Sequence, residues 1–246
     1  MSGHNKWSTI KRKKGANDAA RGKIFTKIAR EIIVAVKAGG PDPNNNSSLK
    51  DVIAKARSNN MPNDNINRTI KKAAGSGDTA DYESITYEGY GPSGVAVIVE
   101  TLTDNRNRTA ADVRAAFSKY GGNLGQVGCV GFMFDRKGVI IIEDEDGEID
   151  EEEVTMDALE AGAEDISIED GVIEITTDPD AVGDVREALE GKYTIASAEA
   201  SMIAQTLTEL TDPDQIKNMT KLLDVLEDND DVQNVYHSWD QPDEDE

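Results

Sequence analysis

Apolar residues recur at helical spacing from residue 24 onward. Ile24, Phe25, Ile28, Ile32 and Val36 share one stripe, and Gly39-Gly40-Pro41 ends it. Residues 1–20 have no such period and read as an extended, adaptable arm. After an Asn-rich loop over 42–47, Ser48 opens a second helix with Asp51 at the capping-box position and Leu49, Val52, Ile53 and Ala56 on one face. Met61-Pro62 breaks that helix. Asp64 then caps a third through Ile66, Ile70 and Ala74, which Gly75 closes. Three short amphipathic helices predict a small bundle over 21–76.

A short linker over 76–81 separates this period of 3.6 from a period of two. Residues 82–90 and 95–102 predict a hairpin, 107–120 a helix with Val113, Ala116, Phe117 and Tyr120 facing in, and 130–134 a strand. The next stretch reads strand 139–143, helix 151–161, strands 165–168 and 172–176, a helix capped by Asp178 with Pro179 first and Gly191 after it, and strand 197–205. That β-α-β-β-α-β order is the split pattern of a ferredoxin-like unit. A helix from Asp212-Pro213, with Ile216, Met219, Leu223 and Leu226 on one face, and a strand over 232–237 complete the earlier elements better than this unit. The predicted class is α+β, a three-helix bundle followed by two α/β sandwich-type domains. The ferredoxin-like domain (136–205) is expected to be inserted into a middle domain built from 82–135 and 206–238, with 239–246 as an acidic, disordered tail.

Charge divides the chain unevenly. Residues 1–80 hold sixteen Lys and Arg against six Asp and Glu, and residues 81–246 hold ten against forty-two, within a net charge of -22. In the first thirty residues Lys6, Lys11, Arg12, Lys13, Lys14, Arg21, Lys23, Lys27 and Arg30 face one acid, Asp18. Such a segment on an acidic chain points to a polyphosphate partner. Trp7 suits stacking on a base, and Gly3, Gly15 and Gly22 permit close backbone approach. Arg68, Lys71 and Lys72 lie away from the apolar stripe of the third helix and extend the basic face. The plainer alternative is an arm that only solubilises. The acidic remainder limits non-specific sticking to nucleic acid. A lone Cys129 excludes an internal disulfide and a cysteine zinc site, and there is neither an apolar leader core nor a run of eighteen apolar residues. A cytoplasmic monomer without a membrane partner is expected.

Candidate chemistry is sparse. The literal G-x-G-x-x-G at Gly89, Gly91 and Gly94 lacks a following helix and reads as a hairpin turn, and the glycines at 121, 122 and 125 read as a helix stop and turn. Asp144, Asp146, Glu148 and Asp150 alternate, but the glycine sits at position four rather than six of an EF-hand loop. Only His4 and His237 occur, at opposite ends, so no catalytic triad or metal cluster can be assembled. No enzyme, cofactor, metal or small-molecule substrate is expected. The best further motif is TDNRNRT over 103–109, joining a strand to a helix: Asn105, Arg106 and Arg108 at a helix N-terminus suit a phosphate or RNA-backbone contact. Alternatively Asp104 or Asn105 caps the helix while both arginines pair with surface acids.

Several segments taken together resemble the YebC family: GHNKWSTIKRKKGANDAARGKIFTKIAREI, NMPNDNINRTIKKAAG, YEGYGPSGVAVIVETLTDNRNRTAADVR, FSKYGGNLG, ALEAGAED and DDVQNVYH. The resemblance runs in order along nearly the whole chain. It implies a helical bundle plus two α/β domains, no cofactor, and nucleic-acid contact through the N-terminal module at Lys6, Trp7, Lys11, Arg12, Lys13, Lys14, Arg21 and Lys23. Members often have a histidine between the positions of Ile10 and Gly15, where this chain is wholly basic. The acid-rich 143–153 stretch and the tail also look particular to it. The usual family label is a probable transcriptional regulatory protein, some members being described as DNA-binding repressors. Mitochondrial relatives activate translation of a cytochrome oxidase subunit, and bacterial ones are linked to ribosomes stalled on proline-rich stretches. The primary expectation is therefore a DNA-binding regulator. The first alternative is a translation factor on the ribosome contacting ribosomal or transfer RNA, and the second a protein-interaction scaffold. Helix-turn-helix spacing is not evident from the sequence, and a basic arm on an acidic body suits RNA shape recognition.

Overall fold

Helix α1 (Asp18–Gly39) buries Ile28, Ile32 and Val36 of the expected stripe, with Ala35 beside them and Ile24 and Phe25 half-buried. A computed structural model describes residues 18–75, 80–144, 147–169 and 171–241, with backbone alone at 18–20. The helix starts inside the predicted arm: an acid at its first position and two alanines favour helix there.

Helix α2 (Ser47–Ser58) is capped by Asn46, not by a Ser48–Asp51 box. The Asn46 carboxamide accepts from the Leu49 amide at 3.0 Å and donates to the carbonyls of Ala35 and Gly40 at 2.8 Å each, locking the turn after α1. Asp51 is left to accept from Arg186 at 3.0 Å. Helix α3 (Asn63–Ala74) follows Pro62 without a side-chain cap, so Asp64 acts through the helix dipole alone. Leu49, Ala56, Met61 and Ile66 complete this core.

The first sheet begins with β1 (Glu83–Tyr90) and β2 (Ala96–Thr103), paired antiparallel from Glu83↔Thr103 to Tyr90↔Ala96. Ser93 and Gly94 turn the hairpin with successive positive φ of 56° and 80°, so the glycine motif serves a turn. Helix α4 (Arg106–Lys119) and β3 (Asn123–Leu124) follow. The strand expected over 130–134 is instead a 3₁₀ turn at Gly131–Met133. The Glu88 carboxylate takes the amides of Gly128, Val130 and Gly131 at 2.7–2.9 Å, which removes the donors that a strand ladder needs.

The second sheet comprises β4 (Phe134–Glu143), β5 (Asp165–Glu169), β6 (Val172–Thr177) and β7 (Ile195–Ala204) in the order β5-β6-β4-β7. All its neighbours run antiparallel, the ferredoxin-like arrangement. Helices α5 (Glu151–Ala161) and α6 (Val182–Leu189) cover one face, packing Val154, Ala158, Val185 and Leu189 on Ile140, Ile142, Ile173 and Ile175. Helix α6 starts after the predicted cap, because Asp178 accepts the Asp180 amide at 2.8 Å and closes a turn of its own.

The chain then returns to the first sheet. Helix α7 (Pro213–Asp228), capped by Asp212, packs Met219, Leu222, Leu223 and Leu226 against Val97, Val99 and Phe117. Strand β8 (Val232–His237) pairs antiparallel with β2, completing the order β3-β1-β2-β8. A register shift opposite Glu100 and Thr101 leaves Gln233 as an extra residue. Trp239, expected in a disordered tail, is 2% exposed in the first sheet's core. The Asp240 amide donates to the Thr208 carbonyl at 2.9 Å and holds it there. Residues 242–246 lie outside the described residues.

Candidate nucleic-acid interface

Helix α1 presents its cations to the acidic body of the protein. Lys23 pairs with Asp228, and the Lys27 ammonium donates to the Glu227 carbonyl at 2.6 Å. Both partners lie in the last turn of α7, where the helix dipole is negative. Arg30 donates to Asp231 at 2.6 Å and to the Leu102 carbonyl at 3.0 Å, and it lies over the Tyr82 ring at 5.2 Å. Lys37 pairs with Asp81 at 2.7 Å. Arg21 is exposed on the rim of the cleft beside these contacts. Lys6, Trp7, Lys11, Arg12, Lys13 and Lys14 lie outside the described residues.

The TDNRNRT motif closes on acids of the protein itself. Asn105 caps α4 by accepting the Arg108 amide at 3.1 Å. Arg106 meets Glu83 at 3.3 Å on the surface. Arg108 bridges Asp231 at 2.7 Å and Asp104 at 2.9 Å. Asp231 is the hub, with its side chain 4% exposed and a further hydrogen bond from the Thr109 hydroxyl at 2.8 Å. Burial alone would raise its pKa, but hydrogen bonds from Arg108, Arg30 and Thr109 hold it below the usual carboxylate range.

Two further clusters tie the helical module to the second sheet. Lys55 sits between Glu31 at 2.9 Å and Glu199 at 3.1 Å. Burial works against its charge, yet the two carboxylates hold its pKa above the ordinary lysine value. Lys50 pairs with Glu187 at 2.5 Å, and Arg186, only 6% exposed, pairs with Asp51.

The exposed cations left over gather on one side of the module. Arg57 ends α2, and Arg68, Lys71 and Lys72 follow on α3. Arg68 touches Asn65 of its own helix at 2.5 Å, whereas Arg57, Lys71 and Lys72 have no ion-pair partner among the described residues. Arg57 is not among the residues that the sequence singled out on the arm, α1, α3 and the TDNRNRT motif. Its position in the last turn of α2, four residues beyond Ile53, was the available signal. Between α2 and α3 lies a groove of about 450 Å³ whose walls include Pro41, Pro43, Arg57, Asn63, Asn67 and Lys71. The four-residue connection 59–62, with Asn60 left-handed at φ 58°, matches the length of a helix-turn-helix link. In the sequence this link shows only as a break at Met61-Pro62.

A larger cleft of about 1060 Å³ separates α1 and α2 from β7 and β8. Its lining mixes acids such as Glu31, Glu199 and Asp228 with cations such as Arg21, Lys55 and Arg57, so its charge is nearly balanced. Among the described residues no group of three or more His, Cys, Asp or Glu could hold a metal ion, and no helix is long and apolar enough to cross a membrane.

Two family profiles match the chain. One, described as the TACO1/YebC protein N-terminal domain, covers residues 5–76, and the other, the TACO1/YebC second and third domain, covers 82–239. A probable transcriptional regulatory protein of Ruminiclostridium cellulolyticum is 63% identical over 247 residues, spanning 100% of this chain and 99% of its own. Another of that name, from Acetivibrio thermocellus, is 60% identical over 97% of this chain and 99% of its own. A crystal structure of a conserved hypothetical protein from Aquifex aeolicus superposes with a TM-score of 0.83 at 44% identity, covering 93% of each chain.

Proposed function

Because the chain belongs to the TACO1/YebC family, we propose that it is a non-enzymatic regulator of gene expression that binds nucleic acid through its N-terminal helical module. One observation carries this reading: Arg57, Arg68, Lys71 and Lys72 are exposed together without an ion-pair partner among the described residues, while Lys23, Arg30 and Lys37 of α1 are engaged with the acidic body. Unpaired cations on one face of a module are what a phosphate backbone recognises, and a body at large negative charge repels it elsewhere. The residues 11–14 add four cations to the same module.

DNA is the first partner proposed. The relatives' name supports it. A second reading, a translation factor on ribosomal or transfer RNA, is supported by the contrast between cationic module and acidic body, which suits recognition of phosphate shape. The test is equilibrium binding of the full chain to duplex DNA and structured RNA between 50 and 200 mM salt. With six to eight phosphate contacts, affinity should fall about a thousandfold over that range. Two charge-reversed sets, Lys11→Glu with Arg12→Glu, Lys13→Glu and Lys14→Glu, and Arg68→Glu with Lys71→Glu and Lys72→Glu, should each weaken binding strongly. Undiminished affinity in both sets would overturn the proposal. In-cell crosslinking with RNA and DNA sequenced in parallel separates the two polymers.

A further inference from the structure

We propose that the groove between α2 and α3 receives a single unstacked nucleotide, its base against the apolar floor and its phosphate between Arg57 and Lys71. The inference rests on the reading of the N-terminal module as the nucleic-acid-binding element, and it adds the form of the ligand. The groove, about 450 Å³ and half-open to solvent, offers a contact surface for one base laid against it. Its floor is Ile53, Ile66 and Ile70, and Pro41 and Pro43 supply two rigid rings on one side. An apolar slot flanked by rigid rings suits the face of a base.

The polar groups have the complementary arrangement. Asn63 and Asn67 stand one turn apart on α3, both line the groove, and neither side chain has a hydrogen-bond partner among the described residues. A carboxamide carries a donor and an acceptor side by side, the pattern of a base edge. Arg57 and Lys71 enter from opposite helices and are likewise unpartnered, and among the described residues no carboxylate lines the groove. An acidic peptide would use the two cations but leave the amides idle, so the observations favour a nucleotide. A base within a duplex presents neither its face nor its pairing edge, so the ligand is a single strand or a loop.

The test uses the full chain with single-stranded RNA, single-stranded DNA and a blunt duplex, by fluorescence anisotropy across salt concentrations. Single strands should bind more tightly than duplex. Arg57→Ala with Lys71→Ala should lower the salt slope by up to about one, for the single phosphate that is no longer neutralised. Asn67→Trp, at an exposed helical position, should fill the groove and weaken single-strand binding with an unchanged circular dichroism spectrum. If the double alanine variant loses its helical signal, Lys71→Gln replaces it, with a smaller fall in the slope because Arg57 remains. The Lys11→Glu, Arg12→Glu, Lys13→Glu, Lys14→Glu protein is the reference. Should it lose binding while the groove variants retain wild-type affinity and slope, the groove is overturned and the module reading stands. Equal affinity for duplex and single strand overturns the groove as well, and no binding by wild type overturns both. The two single-stranded ligands separate ribose from deoxyribose as the source of the nucleotide.

Discussion

Replacing Asp231 by alanine removes the charge on which the first sheet, α4 and α1 converge. Its carboxylate takes Arg30 at 2.6 Å, Arg108 at 2.7 Å and the Thr109 hydroxyl at 2.8 Å. The two arginines differ in what remains to them. Arg108 is 45% exposed and keeps Asp104, so water and that acid replace much of the loss. Arg30 is 14% exposed and among the described residues keeps the Leu102 carbonyl and the Tyr82 ring. Orphaning a buried charge costs about 3–5 kcal/mol, and with one of two arginines enclosed the expectation is the lower end, about 3 kcal/mol. Asp228→Ala is the contrast, because Asp228 is 70% exposed and its partner Lys23 43%, so the loss should stay below about 1 kcal/mol. Urea unfolding followed by both circular dichroism and fluorescence gives the two values, provided the transitions coincide. The pH dependence has a definite sign. Folded Asp231 binds a proton less readily than the unfolded chain does, so its contribution is complete above the ordinary carboxylate pKa of about 4 and fades as pH falls below it. The gap between wild type and Asp231→Ala should shrink in that acidic range. A loss no larger than that of Asp228→Ala, or a gap independent of pH there, would refute the buried-hub reasoning.

Glu88→Gln removes the charge that gathers three amides and should cost about 1–3 kcal/mol by urea unfolding. Burial, and then the charge of Glu88, raise the Cys129 thiol pKa, so the same variant should alkylate faster at pH 8. An unchanged rate would mean that the carboxylate does not influence the thiol. Trp239→Ala should destabilise by about 3–5 kcal/mol if the side chain belongs to the core, and by less than about 0.5 kcal/mol if it belongs to a tail. Gly138→Ala places a Cβ 2.8 Å from that of Val182 and 3.0 Å from the Asp178 carbonyl, so thermal denaturation should reveal a loss of about 1–3 kcal/mol.

Elements with local punctuation were legible from sequence. Helix α5 falls at 151–161 as expected, because Asp150 caps it, three glutamates fill its first turn and Gly162 ends it at φ 108°. Strand β8 was placed at 232–237, and its return to the first sheet followed from an unfinished set of elements. The misplaced features depend on partners far along the chain. The amides near Gly131 belong to Glu88, and Asp51 was drawn to Arg186, 135 residues away. The candidate interface divides in the same way. That the N-terminal module is cationic was plain from composition. Which cations remain available was not, since Lys23 and Lys27 find their partners about 200 residues downstream.

The closing of the first sheet by β8 has a consequence for the order in which the protein is made. Synthesis proceeds from the N-terminus, so the second sheet has all its strands once Ala204 leaves the ribosome. The first sheet begins earlier in the chain yet stays incomplete until His237 emerges. In the interval β2 is an open edge, and the apolar face that α7 will cover, with Val97 and Val99, has no partner. Arg30 likewise waits for Asp231. A nascent chain halted after Ala204 would therefore carry a finished ferredoxin-like unit beside an unfinished sheet that is prone to pair with other chains. The last strand thus closes the first sheet, and brings Asp231 to Arg30, only after the second sheet and its ion pairs to the helical module can already be in place.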